Sequence, residues 1–308
     1  MGKIAFIFPG QGSQAVGMGQ DVYHSNAESK QVFQSADEAL GFSLSELIFQ
    51  GPEEELKITY HTQPALLTTS IALFEAFKAK GVQADYVAGH SLGEYSALVA
   101  AGALSFEDAV RIVRLRGQFM EKAVPNGLGA MAAVLGAEKE ALAQLCARIT
   151  QEVGSVEMAN INSPGQIVVS GTKEGVQAVV EQGKEIGAKR VIPLEVSGPF
   201  HSSLMKPAAG QLAGELQKIT ILTPNIPVVA NVTALPVEAP EQIRELLVEQ
   251  VYSPVLWEDT VLWLISQGVD TFIEIGSGSV LTGLVKKIDK TVRVVAINSK
   301  EAIESFQV

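Results

Sequence analysis

The stretch DYVAGHSLGEYSALVAAGAL, residues 85–104, limits what this chain can fold into more than any other. DYVAG (85–89) has the character of a brief buried strand, and SLGEYSALVAAGAL (91–104) that of a helix rich in small apolar residues. Between them, Gly89-His90-Ser91-Leu92-Gly93 makes a G-x-S-x-G pattern. Its glycines let the chain turn sharply from strand into helix and lift a serine hydroxyl out of a sheet. A helix that is mostly apolar all round is a central one. A strand feeding directly into such a helix belongs to an α/β fold with a parallel sheet.

The flanking segments extend this pattern. KIAFIF (3–8) is a short β-rich run stopped by Pro-Gly, QPALLTTSIALFEAFKAKG (63–81) has helical spacing and ends on glycine, and 105–123 is a further helix opened by a Ser105–Asp108 cap. The rhythm then changes. A strand (129–136), a helix (138–151), two strands around the turn Asn162-Ser163-Pro164-Gly165, a helix (173–187) and a strand (188–196) follow one another. The order β-α-β-β-α-β is the ferredoxin-like unit. The expected architecture is an α/β-hydrolase-like large subdomain with a parallel sheet, formed by 1–124 and 198–308. A ferredoxin-like small subdomain is inserted at 125–197.

Composition narrows the function. The 308 residues carry a net charge of −11, which disfavours nucleic-acid binding. Tyr95–Leu104 is among the longest apolar runs and is too short to span a bilayer, so no membrane partner is expected. A single cysteine, Cys146, excludes an internal disulfide and fits a cytoplasmic location. The clustered Cys/His ligands of a zinc site are missing, so neither metal nor bound cofactor is expected.

Ser91 needs a base and an oxyanion site. The Leu92 N–H, at the start of the new helix, is the natural first oxyanion donor. A second comes most directly from the turn FPGQGSQ after the first strand, with Gln11 at its tip. Four histidines compete for the role of base. His90 adjoins Ser91 in a tight turn, where neighbouring side chains diverge. His24 falls in a polar segment, and His61 in what reads as a loop. His201 follows a strand end, lies in a turn, and comes after Ser91 in chain order, as the base does in G-x-S-x-G enzymes. A packed or solvated His201 is the alternative. No acid stands out to orient the histidine, although a backbone carbonyl can do so.

On the 105–123 helix, Arg116 shares its face with Ala109, Ile112, Val113, Phe119, Met120 and Ala123, all within about 60° at about 100° per residue. It therefore points inward. It either makes a structural ion pair or awaits a carboxylate on the substrate, which its planar fork fits in two-point contact.

With Gly10-Gln11-Gly12-Ser13-Gln14, Gly89–Glu94, Arg116, His201 and Gln250 in view, the chain resembles the malonyl-CoA:acyl carrier protein transacylases of type II fatty acid synthesis over nearly its whole length. The resemblance implies that Ser91 carries malonyl as an ester and His201 is base, then acid. Gln11 and Leu92 N–H groups would form the oxyanion hole, and Arg116 would clamp the malonyl carboxylate. Gln250 would orient His201 through its main-chain carbonyl. Phe200 would narrow the pocket beside the malonyl α-carbon and disfavour methylmalonyl. Asn160 and Asn162 would line the cleft between subdomains or simply form the turn. Malonyl-CoA and an acidic acyl carrier protein are the implied partners, and a monomer the expected working unit. Lys184, Lys189, Arg190, Lys286, Lys287 and Lys290 are candidates for the docking patch, or ordinary solvated charges.

Three other readings compete. A serine esterase or thioesterase would use water as acceptor with the same elbow. A dinucleotide-binding protein would use Gly10–Ala15, which fits G-x-G-x-x-A after a strand, but lacks the acidic residue expected after a second strand. A non-catalytic module would only dock a carrier.

Overall fold

Strand β1 (Lys3–Phe8) sets the layers of the molecule, because its alternate side chains enter different cores. Phe6 and Phe8 join a large apolar cluster on one face of the sheet, and Ala5 and Ile7 join a second on the other face with Trp257 and Phe272. The structure, a computed structural model, describes residues 2–125 and 127–307. Six strands form the large sheet in the order β10 (Arg293–Ile297), β9 (Val269–Ile275), β1, β2 (Tyr86–Gly89), β7 (Val228–Val229) and β8 (Pro236–Val237). All neighbours are parallel except β7 and β8. The chain builds outward from β1 in both directions, to β2 and β7 on one side and to β9 and β10 on the other. The strand order therefore reverses between β1 and β9, and the carboxyl end of β1 lies at this switch point, the usual place for a site in such sheets.

The second sheet has the order β4 (Val156–Ser163), β5 (Gln166–Thr172), β3 (Gly129–Leu135) and β6 (Arg190–Pro193), antiparallel throughout. Helices Lys139–Glu152 and Lys173–Gln182 connect its strands in the ferredoxin-like manner, and its core is separate, built on residues such as Val134, Leu142, Ile149 and Val179. Main-chain bonds tie the two layers together where β4 meets Val255: Ile161 N–H to the Val255 carbonyl at 2.9 Å, and Val255 N–H to the Ala159 carbonyl at 2.9 Å.

Several boundaries differ from the sequence reading. The long helix begins at Thr59, not 63, because Pro64 sits inside its second turn and does not open it, and His61 lies on this helix instead of in a loop. The elbow helix is the shorter Gly93–Ala100. The last strand of the small sheet shrinks to Arg190–Pro193. Asn162 and Ser163 end β4, so the turn is Pro164-Gly165 alone. The Ser105 cap is present, its hydroxyl accepting the Asp108 N–H at 3.1 Å. No helix among the described residues is long and apolar enough to cross a membrane.

Candidate active site

Ser91 stands at the end of β2 with φ +52°, a left-handed conformation that a non-glycine residue holds only under constraint. The constraint is packing. Gly93 lies against the end of β1 so closely that a Cβ there would sit 2.1 Å from the Phe8 carbonyl oxygen. Asn231, just past β7, completes the clamp. Its Oδ1 accepts the Ser91 N–H at 2.7 Å and its Nδ2 donates to the Gly89 carbonyl at 2.6 Å.

His201 is the histidine brought to Ser91, with Nε2 at 2.7 Å from Oγ. It too has positive φ, +58°, and it is buried. Its Nδ1 lies 2.8 Å from the main-chain carbonyl of Gln250. A carbonyl only accepts, so Nδ1 carries the proton and Nε2 presents its lone pair to the serine O–H. Burial and the Arg116 charge push the imidazole pKa down to about 3. At neutral pH it is therefore an uncharged acceptor. His90 turns away, as its position suggested, to hydrogen-bond Asn162 Oδ1 at 2.8 Å and pack on Trp257.

Arg116 is buried, and its neighbours are neutral. Its two terminal nitrogens donate to Gln63 Oε1 at 2.7 Å, Gln250 Oε1 at 3.0 Å and Ser91 Oγ at 3.3 Å. Nε has no partner, and among the described residues no carboxylate lies within salt-bridge distance. The structural ion pair that was the alternative is not formed. A buried cation with an unused donor beside a nucleophile has the chemistry to receive an anion.

A cleft opens over Ser91, lined by Gln11, His90, Leu92, Arg116, Asn160 and Phe200, with Met120, Met131 and Val196 adding apolar wall. The main-chain N–H groups of Gln11 and Leu92 donate to no protein acceptor among the described residues. A second cavity shares Gln11, His90 and Asn160 with the first and continues between the two layers past Asn162 and Gln166. The two asparagines thus lie between the subdomains. The turn Gly10–Ala15, by contrast, leads into no helix; the next begins at Gln20. It has nothing of the helix N-terminus that holds a dinucleotide pyrophosphate.

Three residues of the site escaped the sequence reading: Gln63, Asn231 and Glu94. Glu94 was seen only as part of the serine motif, and no local pattern marks the other two.

A family model described as an acyl transferase domain matches residues 5–305. The malonyl CoA-acyl carrier protein transacylase of Bacillus subtilis (strain 168) is 56% identical over 304 residues, covering 99% of this chain and 96% of its own. Among solved structures, an acyl carrier protein S-malonyltransferase from Vibrio cholerae O1 matches with a TM-score of 0.96 at 47% identity, over 99% of this chain and 100% of that one. A malonyl-transacylase in complex with its type II PKS acyl-carrier protein matches with a TM-score of 0.95 at 45% identity, over 98% of each chain.

Proposed function

We infer the chemistry of this chain from one premise: it belongs to the acyl transferase family. It is an enzyme that transfers malonyl groups from malonyl-CoA to acyl carrier protein. One observation supports the residue roles that follow. The same serine oxygen lies 2.7 Å from an unprotonated imidazole nitrogen and 3.3 Å from a guanidinium that no acid pairs.

In the proposed first half-reaction, Ser91 Oγ–H gives its proton to His201 Nε2 as Oγ attacks the thioester carbonyl. The oxyanion takes the free N–H groups of Gln11 and Leu92. The C–S bond breaks, His201 returns the proton to the departing CoA sulfur, and malonyl remains as an ester on Ser91. In the second half, the carrier's phosphopantetheine thiol gives its proton to His201 and attacks that ester. Ser91 leaves and recovers the proton. Gln250 holds His201 in the required tautomer. Arg116 binds the malonyl carboxylate, and this contact cancels part of the positive field that depresses His201, so the proper substrate makes its own base stronger. Phe200 narrows the acyl pocket, where exclusion of one methyl is worth about 1–3 kcal/mol.

No step calls for a metal or bound cofactor. Hydrolysis by the same Ser–His pair is not favoured. The carrier's entry is proposed along the second cavity. Arg190, Leu135 and Gln166 are in one register row across β6, β3 and β5, and Lys287 Nζ donates to Gln166 Oε1 at 2.8 Å. Lys189, Arg190 and Lys287, all exposed, therefore share one end of the small sheet at the cavity's rim and suit an acidic partner. The proposed setting is a cytoplasmic monomer in malonyl supply for fatty acid synthesis, which agrees with a buried, unpaired Cys146.

The test is intact-mass analysis after mixing with malonyl-CoA, then with holo acyl carrier protein. One malonyl adduct should appear on Ser91 and move to the carrier. In His201→Ala, adduct formation should slow by about 10²–10⁴-fold. Adduct formation by Ser91→Ala at the wild-type rate would defeat the reading.

A further inference from the structure

Glu94 lies in the first turn of the elbow helix, 2% exposed, and makes no ion pair among the described residues. Its Oε2 accepts two bonds, from the Asn231 main-chain N–H at 3.0 Å and from Gln250 Nε2 at 2.8 Å. The other end of the same Gln250 amide, Oε1, accepts from Arg116 at 3.0 Å. A carboxylate can only accept and a guanidinium can only donate. Only one orientation of the amide satisfies both, with NH₂ toward Glu94 and C=O toward Arg116. The buried cation is thereby answered by an acid one amide away. A direct salt bridge would occupy the fork, and no acid at all would leave the charge uncompensated.

We propose that Glu94 is the positioning residue of the carboxylate-reading arginine: through Gln250 it fixes the amide against Arg116 and sets how strongly the guanidinium attracts an anionic acyl tail. This rests on the reading of Arg116 as the malonyl clamp. Arg116, across Gln250, and Tyr95, the next residue on its own helix, are the ionisable groups that face Glu94. Gln250's helix, β2 and the Thr59–Phe77 helix turn no other charge toward it among the described residues. Burial raises the Glu94 pKa to about 7, against the pull of its two hydrogen bonds and of Arg116. Below that pH the pocket carries an uncompensated positive charge and favours malonyl over acetyl. Above it the carboxylate offsets Arg116 and the preference falls.

The experiment measures kcat/KM for acylation of Ser91 by malonyl-CoA and by acetyl-CoA between pH 5.5 and 8.5, in wild type and Glu94→Gln. Because one oxygen of Glu94 makes both bonds, a glutamine carbonyl can replace it and only the charge is lost. In wild type the malonyl-to-acetyl ratio should fall roughly three- to tenfold through neutrality. In Glu94→Gln it should stay at the high, acid-side value. A flat wild-type ratio overturns the proposal without need of a variant, and so does an equal fall in both proteins. Failure of wild type to accept malonyl at all would overturn the transacylase reading, and this proposal with it.

Discussion

Arg116 is held by amide oxygens, and this decides what its removal should do. A direct ion pair would make Arg116→Ala a structural lesion, because an acid would be left buried and alone. Here Gln63 and Gln250 lose a donor, and the expected defect concerns the substrate. Malonyl acylation of Ser91 in Arg116→Ala should fall about 10²–10³-fold more than acetyl acylation, the scale of a buried charge pair broken on one side. The loss also lifts the repulsion on His201, so the acid limb of the acetyl pH–rate profile should move to higher pH. Pre-steady-state acylation with both thioesters checks both effects. Equal losses with an unmoved profile would mean that Arg116 only supports the fold. Arg116 was legible in the sequence because a charge on an apolar helical face breaks a periodic pattern, and Ser91 because its elbow demands glycines at fixed spacing. Gln63 and Asn231 break no pattern, and Glu94, the one charge in an apolar helix, sits in a first turn where an acid is ordinary. Each is a polar residue whose partner is distant in sequence, as with Asn231 and Ser91, 140 residues apart. Gln250 came from family resemblance alone, since a backbone carbonyl leaves no trace in residue type.

The helices that carry Arg116 and Gln63 pack closely, and their approach depends on one small residue. Gly117 follows Arg116 and lies where a Cβ would stand 2.5 Å from the Tyr60 Cα. The contact is with backbone, so no side-chain rotation relieves it. This closeness brings Gln63, one turn along the Thr59–Phe77 helix, within reach of Arg116. Gly117→Ala should force the helices apart, costing about 1–3 kcal/mol in urea unfolding, and should lower malonyl acylation more than acetyl acylation. Unchanged selectivity in a destabilised protein would show that the Arg116 site tolerates the shift. The element reading failed at the start of this helix for a related reason. Apolar spacing read from Gln63 onward placed the start there, although proline is tolerated in the early turns of a helix. Packing against the Phe106–Ala123 helix carries the element back to Thr59. The small sheet was legible because its β-α-β-β-α-β order and alternating strands are local, whereas the parallel order around β1 joins strands far apart in the chain.

At the scale of the molecule, the catalytic loop is gripped by both layers. Glu157 on β4 accepts from the Ser203 hydroxyl and from its N–H at 3.1 Å, two residues beyond His201, and Asn162 holds His90. Among the shifted groups of the catalytic cluster, His201 and Glu94 act on the whole fold in opposite directions through proton linkage. His201 falls from 6.5 to about 3, so folding leaves it unable to take the proton that the unfolded chain binds below pH 6.5. Stability is lost as pH drops from about 6.5 to 3. Glu94 rises from 4.5 to about 7, so its contribution is whole below pH 4.5 and is lost as pH rises to 7, roughly 3 kcal/mol in all. Between about pH 4.5 and 6.5 these two slopes oppose each other. Glu94→Gln removes one slope. It should be more stable than wild type by roughly 3 kcal/mol at pH 8 and by nothing measurable at pH 4, so between pH 6.5 and 4.5 it should lose stability more steeply than wild type does. Urea unfolding of both proteins at pH 4, 5, 6.5 and 8 measures this. Parallel curves across that range would show that Glu94 does not carry its proton into the folded state at neutral pH.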